Sequence, residues 1–113
     1  MDYQLEQRYN ELTKKLSVQF GEGIELEGIL LIIGIQELGQ GPRKYSKDEK
    51  MNLMHIAICT ILEPFGIYEF DKNDDDGWPH YKKVKAVPNL SLKEQELLMK
   101  EAILNYFEVN KYV

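Results

Sequence analysis

The residues that could do chemistry concentrate in one short stretch, Asp74-Asp75-Asp76-Gly77-Trp78-Pro79-His80-Tyr81, where clustered carboxylates precede an indole and an imidazole. A hard cation such as calcium binds several oxygens on a flexible loop, and Asp71, Asn73 and Asp75 alternate as loop ligands do. The EF-hand register nevertheless fails. With Gly77 at the sixth loop position, Lys72 falls at the first and Lys83 at the twelfth, where oxygen ligands belong. The favoured expectation is a solvated acidic turn with Trp78 packed back on the domain.

A second constellation lies on one helix face: Asp48, Asn52, His55 and Cys59 recur at spacings of four, three and four. Joined by Glu37 from a neighbouring helix, by His80 and by Asp74, Asp75 or Asp76, His55 could complete a divalent-metal site. The Glu-x-x-His pattern of di-iron bundles is missing, because Asn52 stands three residues before His55. A histidine bordering an apolar stripe is ordinarily a hydrogen-bonded packing residue. No cofactor is therefore predicted, and a divalent metal is kept as the alternative.

Nucleophilic catalysis needs an activated Cys, Ser or Lys beside a base. Cys59 and His55 are one turn apart, yet the apolar neighbours Ile58 and Ile61 predict a buried thiol of raised pKa and low reactivity. The sequence carries no G-x-S-x-G elbow, Walker loop, dinucleotide fingerprint or CxxC pair. The expectation leans away from an enzyme.

Two basic clusters point to anions. Arg43, Lys44 and Lys47 sit with glycines just before a helix start, where free backbone donors and the helix dipole favour negative charge. Lys82, Lys83 and Lys85 form the second run. Together they could hold a phosphate, an acidic peptide or an RNA backbone, although solvated loops have the same composition. Finally, Tyr68, Phe70, Trp78 and Tyr81 gather around one predicted hairpin, as aromatic residues do at contact surfaces. They either cover the core or form an interface.

These residues must be positioned by elements that the periodicity predicts. Leu5, Tyr9, Leu12, Leu16 and Phe20 mark an amphipathic first helix that closes near Gly21. Ile24 to Leu38 is apolar on most faces and reads as a central helix, in which Gly28 and Gly34 would admit a close neighbour. Ser46 and Glu49 form a capping box for a third helix with a stripe of Met51, Met54, Ile58, Ile61 and Phe65, ended by Pro64 and Gly66. Ile67 to Phe70 and Tyr81 to Val87 pair as a hairpin, connected through Asp71 to Gly77. Ser91 and Glu94 open the last helix, with Leu97, Leu98, Ala102, Ile103, Tyr106 and Phe107 as its core face. Docking of Tyr112 and Val113 is left open.

With 113 residues, 43% apolar and 29% charged, the chain suits a single domain spanning residues 1–113. The net charge of -5 disfavours sequence-independent nucleic-acid binding. One cysteine, an acidic N-terminus without an apolar run, and no apolar segment of spanning length predict a cytoplasmic protein that engages no membrane.

The strings Leu53-Met54-His55-Ile56-Ala57-Ile58-Cys59 and Asp76-Gly77-Trp78-Pro79-His80-Tyr81, followed by Ser91 to Phe107, resemble small bacterial proteins of uncharacterised activity. The resemblance covers about the last two thirds of the chain and implies no activity, cofactor or partner.

The expected architecture is mainly α: a four-helix bundle-like domain, antiparallel by its short connections, with a β-hairpin at about 67–87 between helices three and four. The expected role is a cytoplasmic interaction or regulatory protein that uses the hairpin and adjoining loops to contact a protein partner or a second copy of itself. A metal-binding protein or metal-dependent enzyme is the alternative, and anion or nucleic-acid binding through the basic patches comes next.

Overall fold

A computed structural model describes residues 3–21, 24–41, 43–85 and 89–110. The element order is α1 (Tyr3–Phe20), α2 (Leu26–Leu38), α3 (Lys47–Leu62), a 3₁₀ turn (Glu63–Phe65), β1 (Tyr68–Asn73), β2 (Pro79–Lys83) and α4 (Leu92–Val109). The protein is thus mainly α, with an antiparallel two-stranded hairpin between α3 and α4. No helix among the described residues is long and apolar enough to cross a membrane.

Contacts group the chain into two compact units, Met1–Glu25 with Val87–Val113, and Leu26–Ala86. In the first, α1 buries Leu5, Leu12 and Leu16, which recur at helical spacing on one face. Gly21 then stops the helix with φ 113°, and its N–H donates to the Ser17 carbonyl at 2.9 Å. α4 buries Ala102, Ile103, Leu104, Tyr106 and Phe107, whereas Leu97 and Leu98 are only half-buried. Lys100 Nζ reaches both Glu6 oxygens at 3.0 and 3.1 Å, and Arg8 pairs with Glu108. These partners advance in the same direction along α1 and α4. Tyr112 and Val113, whose docking the sequence leaves open, fall outside the described residues.

The second unit is built on α2 and α3. Gly34 is buried where the helices touch, and a Cβ there would lie 2.2 Å from the Leu53 carbonyl oxygen. Of Gly28 and Gly34, both expected to admit a neighbour, Gly34 does so. Leu31, Ile35 and Leu38, one face of α2, surround Leu53 and Tyr45.

The capping boxes form as the sequence predicts. Ser46 Oγ accepts from Glu49 N at 3.1 Å while Glu49 Oε1 accepts from Ser46 N at 2.9 Å, and Ser91 with Glu94 repeats the arrangement at 3.2 and 3.0 Å. Such an N-cap is worth about 1 kcal/mol. The α3 stripe differs from expectation. The helix buries Leu53, Ile56, Ala57, Cys59, Ile61 and Leu62, while Met51 is 63% exposed. α3 is covered by both α2 and the hairpin, and a helix covered on two sides has no single apolar stripe to read.

The first strand is longer and the turn tighter than predicted. β1 continues through the acidic segment to Asn73, with a bulge between Phe70 and Lys72, and Tyr68, Glu69 and Phe70 face Lys83, Lys82 and Tyr81. The predicted second strand reached Val87; β2 ends at Lys83, and residues 86–88 lie outside the described residues. The turn closes through Asp74 N–H to the Trp78 carbonyl (2.9 Å) and Gly77 N–H to the Asp74 carbonyl (3.0 Å), with Gly77 at φ 85°.

Candidate functional site

Side chains directly opposite one another in an antiparallel pair share a face, so Tyr68, Phe70, Tyr81 and Lys83 lie on one side of the hairpin. Glu69, Lys82, Lys72 and His80 lie on the other, and all four are exposed. The first face meets α3. Thr60 Oγ1 donates to the Ile56 carbonyl at 2.8 Å, so its only proton is committed and Tyr81 must donate in the 2.9 Å contact between the two hydroxyls. Burial raises the Tyr81 pKa, which keeps that donor protonated. Tyr68 meets His55 edge-on at 6.4 Å, and Phe70 meets Tyr81 edge-on at 5.7 Å.

Both ends of the hairpin are also tied down. At the base, Ile67 is buried and its carbonyl accepts from Val84 N–H at 2.9 Å, while Phe70 N–H donates to Glu63 Oε2 at 2.9 Å. At the tip, Trp78 packs against the cluster of Leu38, Tyr45 and Leu53. Gln40 Nε2 donates to the Asp76 carbonyl at 3.2 Å, and Gln40 Oε1 accepts from Arg43 Nε and Nη2 at 3.2 and 3.0 Å. Arg43 Nη2 also donates to Glu49 Oε2 at 3.0 Å, and its guanidinium lies 4.1 Å from the Tyr45 ring centroid. A polar chain therefore runs from the turn to the α3 cap. Hydrogen bonds from the Ser46 backbone, then from Arg43, hold the Glu49 carboxyl below its ordinary range.

The acidic turn has an internal purpose. Asp74 Oδ1 accepts from Asp76 N–H at 3.0 Å and Trp78 N–H at 2.9 Å, while Oδ2 lies 3.0 Å from His80 Nε2. An ionised carboxylate only accepts, so Nε2 of His80 carries the proton in that contact. The His80 hydrogen bond, then the Trp78 amide, holds the Asp74 carboxyl below its ordinary 3.8.

A folded-state pKa below the unfolded value means stability present above that value and lost as pH falls through the folded one. The turn should consequently stay closed at pH 3.8 and open only in stronger acid. The Asp74 carboxyl resonance checks this by NMR titration. His80→Ala should move its midpoint up toward 3.8, and a wild-type midpoint at or above 3.8 would refute the assignment.

Most of the aromatic residues predicted to make an interface are thus used in bracing: Trp78 in the core cluster, Tyr81 on Thr60, Tyr68 on His55. Phe70 remains 44% exposed. His55 Nε2 lies 3.6 Å from Cys59 Sγ, but Cys59 is fully buried and its thiol is pushed up to about 11 by burial. Such a thiol is no nucleophile at neutral pH.

His80 is held by Asp74, away from the Cys59 and Tyr68 partners of His55. Among the described residues, no three of His, Cys, Asp and Glu gather as a metal-binding group, so Glu37, His55, Asp74, Asp75, Asp76 and His80 do not converge into one. Of the predicted anion-binding residues, Arg43 is engaged internally, whereas Lys44, Lys47, Lys82, Lys83 and Lys85 are exposed and in no ion pair among the described residues.

Sequence reasoning missed Gln40, Thr60 and Glu63, the residues that brace the hairpin from the loop after α2, from α3 and from the 3₁₀ turn. None carries a local signal, because each acts on a partner at least seven positions away. No protein-family model matches the chain, and no significant match is found among curated proteins or solved structures.

Proposed function

We propose that the chain is an interaction protein that presents the solvent face of its hairpin to a protein partner in a reducing, cytoplasmic setting. One observation carries the reading: the inner face, base and tip of the hairpin are all anchored, while Glu69, Lys72, His80 and Lys82 stand exposed on the opposite face. A two-stranded hairpin alone is marginal in water, so this bracing yields a preorganised surface. The alternating charges would steer a partner of complementary pattern.

The test is capture of partners by the purified chain, compared with a Lys72→Glu, Lys82→Glu double variant and a Lys14→Glu control on α1. Neither change touches a buried group, so both variants should melt within a few degrees of the wild type, as surface substitutions do. A specific partner should be kept by the wild type and the control and weakened at least tenfold by the double variant. Equal retention by the double variant, or capture of nothing, refutes the reading.

A further inference from the structure

The two edges of the hairpin are not equivalent. Hydrogen-bonded and non-bonded pairs alternate along an antiparallel ladder. Val84 N–H donates to the Ile67 carbonyl, the bond that flanks a non-bonded pair one step further in, while Ile67 N–H turns to the Leu62 carbonyl. Tyr68 with Lys83 and Phe70 with Tyr81 are then non-bonded pairs, whose backbone groups point away from the partner strand. On the β1 side, the outward Phe70 N–H is occupied by the Glu63 carboxylate, and the bulge beyond it bends the edge. On the β2 side, the outward N–H groups of Tyr81 and Lys83 have no acceptor among the described residues. Sheet edges left open in this way are templates for another strand. The open edge is also the basic one, flanked by Lys82, Lys83 and Lys85, none of them in an ion pair among the described residues.

We infer that the outer edge of β2 takes up an acidic, extended peptide segment of a partner protein as a third strand, its backbone pairing with Tyr81 and Lys83 and its carboxylates meeting Lys83 and Lys85. This rests on the interaction reading and names the partner's chemistry. Backbone pairing supplies affinity and the alternating side chains supply choice, as in other strand additions. Glu63 closes the competing edge, so addition is one-sided and does not propagate. The nearby carboxylates are Glu69, opposite Lys82, and Glu37 and Glu63, whose charges are felt by Tyr81. All three would favour a segment whose acidic residues lie toward Lys83 and Lys85.

The probe is a blocked seven-residue peptide of alternating glutamate and valine, titrated into the full chain and followed by the backbone amide resonances. Binding should shift Tyr81 to Lys85 most and weaken as salt rises. N-methylation of alternate peptide residues on the pairing side should weaken binding at least tenfold, as should replacing glutamate by lysine. Lys83→Pro removes an outward N–H without touching the ladder, and should do the same while Trp78 fluorescence stays native. Should that variant unfold, the N-methylated peptide alone decides. Equal binding of the N-methylated peptide overturns strand addition. Tight, salt-sensitive binding of oligouridylate in place of the peptide makes the patch a phosphate surface and overturns it too. No peptide binding, with partner capture still lost in the Lys72→Glu, Lys82→Glu variant, removes this inference and leaves the interaction reading standing.

Discussion

Gly34→Ala is expected to lower the stability of the protein by at least about 2 kcal/mol, although alanine is the better helix former by about 1 kcal/mol. The added methyl would sit 2.2 Å from the Leu53 carbonyl oxygen and 2.7 Å from its carbon. Those atoms are helix backbone and cannot rotate aside as a side-chain end could. α2 and α3 must separate, which opens gaps around Ile33 and Leu53, both fully buried. Interiors are packed too densely to absorb such a shift without loss of dispersion contacts. For a chain of this size the midpoint should fall on the order of 10 °C, read by circular dichroism. An unchanged or raised midpoint would show that the two helices do not meet at this glycine.

Trp78→Ala is expected to cost about 3 kcal/mol, the low end for a large aromatic removed from a core because Trp78 is only partly buried. The indole is what joins the hairpin tip to Leu38, Tyr45 and Leu53, and without it the tip keeps, among the described residues, the Gln40 contact to Asp76 and the hydrogen bonds within the turn. Amide exchange should accelerate first in β1 and β2, since a region with fewer buried contacts opens at lower free energy. Trp78→Phe should restore most of the loss. If instead Trp78→Ala leaves both melting and exchange unchanged while abolishing partner capture, the indole is a contact residue and the packing assignment falls.

The bracing of the hairpin also sharpens which residues can serve recognition. An aromatic cluster offered as an interface from composition becomes, in three dimensions, largely the underside of the hairpin. On the interaction reading proposed above, the surface open to a partner is the charged face of Glu69, Lys72, His80 and Lys82, with the β2 edge beside it.

What the sequence determined by itself was local. Both capping boxes, the stop at Gly21, the break at Pro64 and the hairpin between the third and fourth helices follow from interactions a few residues apart, and each forms as read. The need for Gly34 was legible for the same reason, since a glycine in an apolar helix has few other uses. Only the tertiary structure decided the faces of α3, because covering a helix on two sides erases the periodicity that would reveal a buried face. It alone set the uses of Gln40, Thr60 and Glu63, whose partners lie 36, 21 and 7 positions away. It also separated the two histidines: Asp74 takes His80 within the turn, while His55 turns to Cys59 and Tyr68. Spacing along a chain can place such residues on a helix or a loop, but whether they converge depends on how those elements pack.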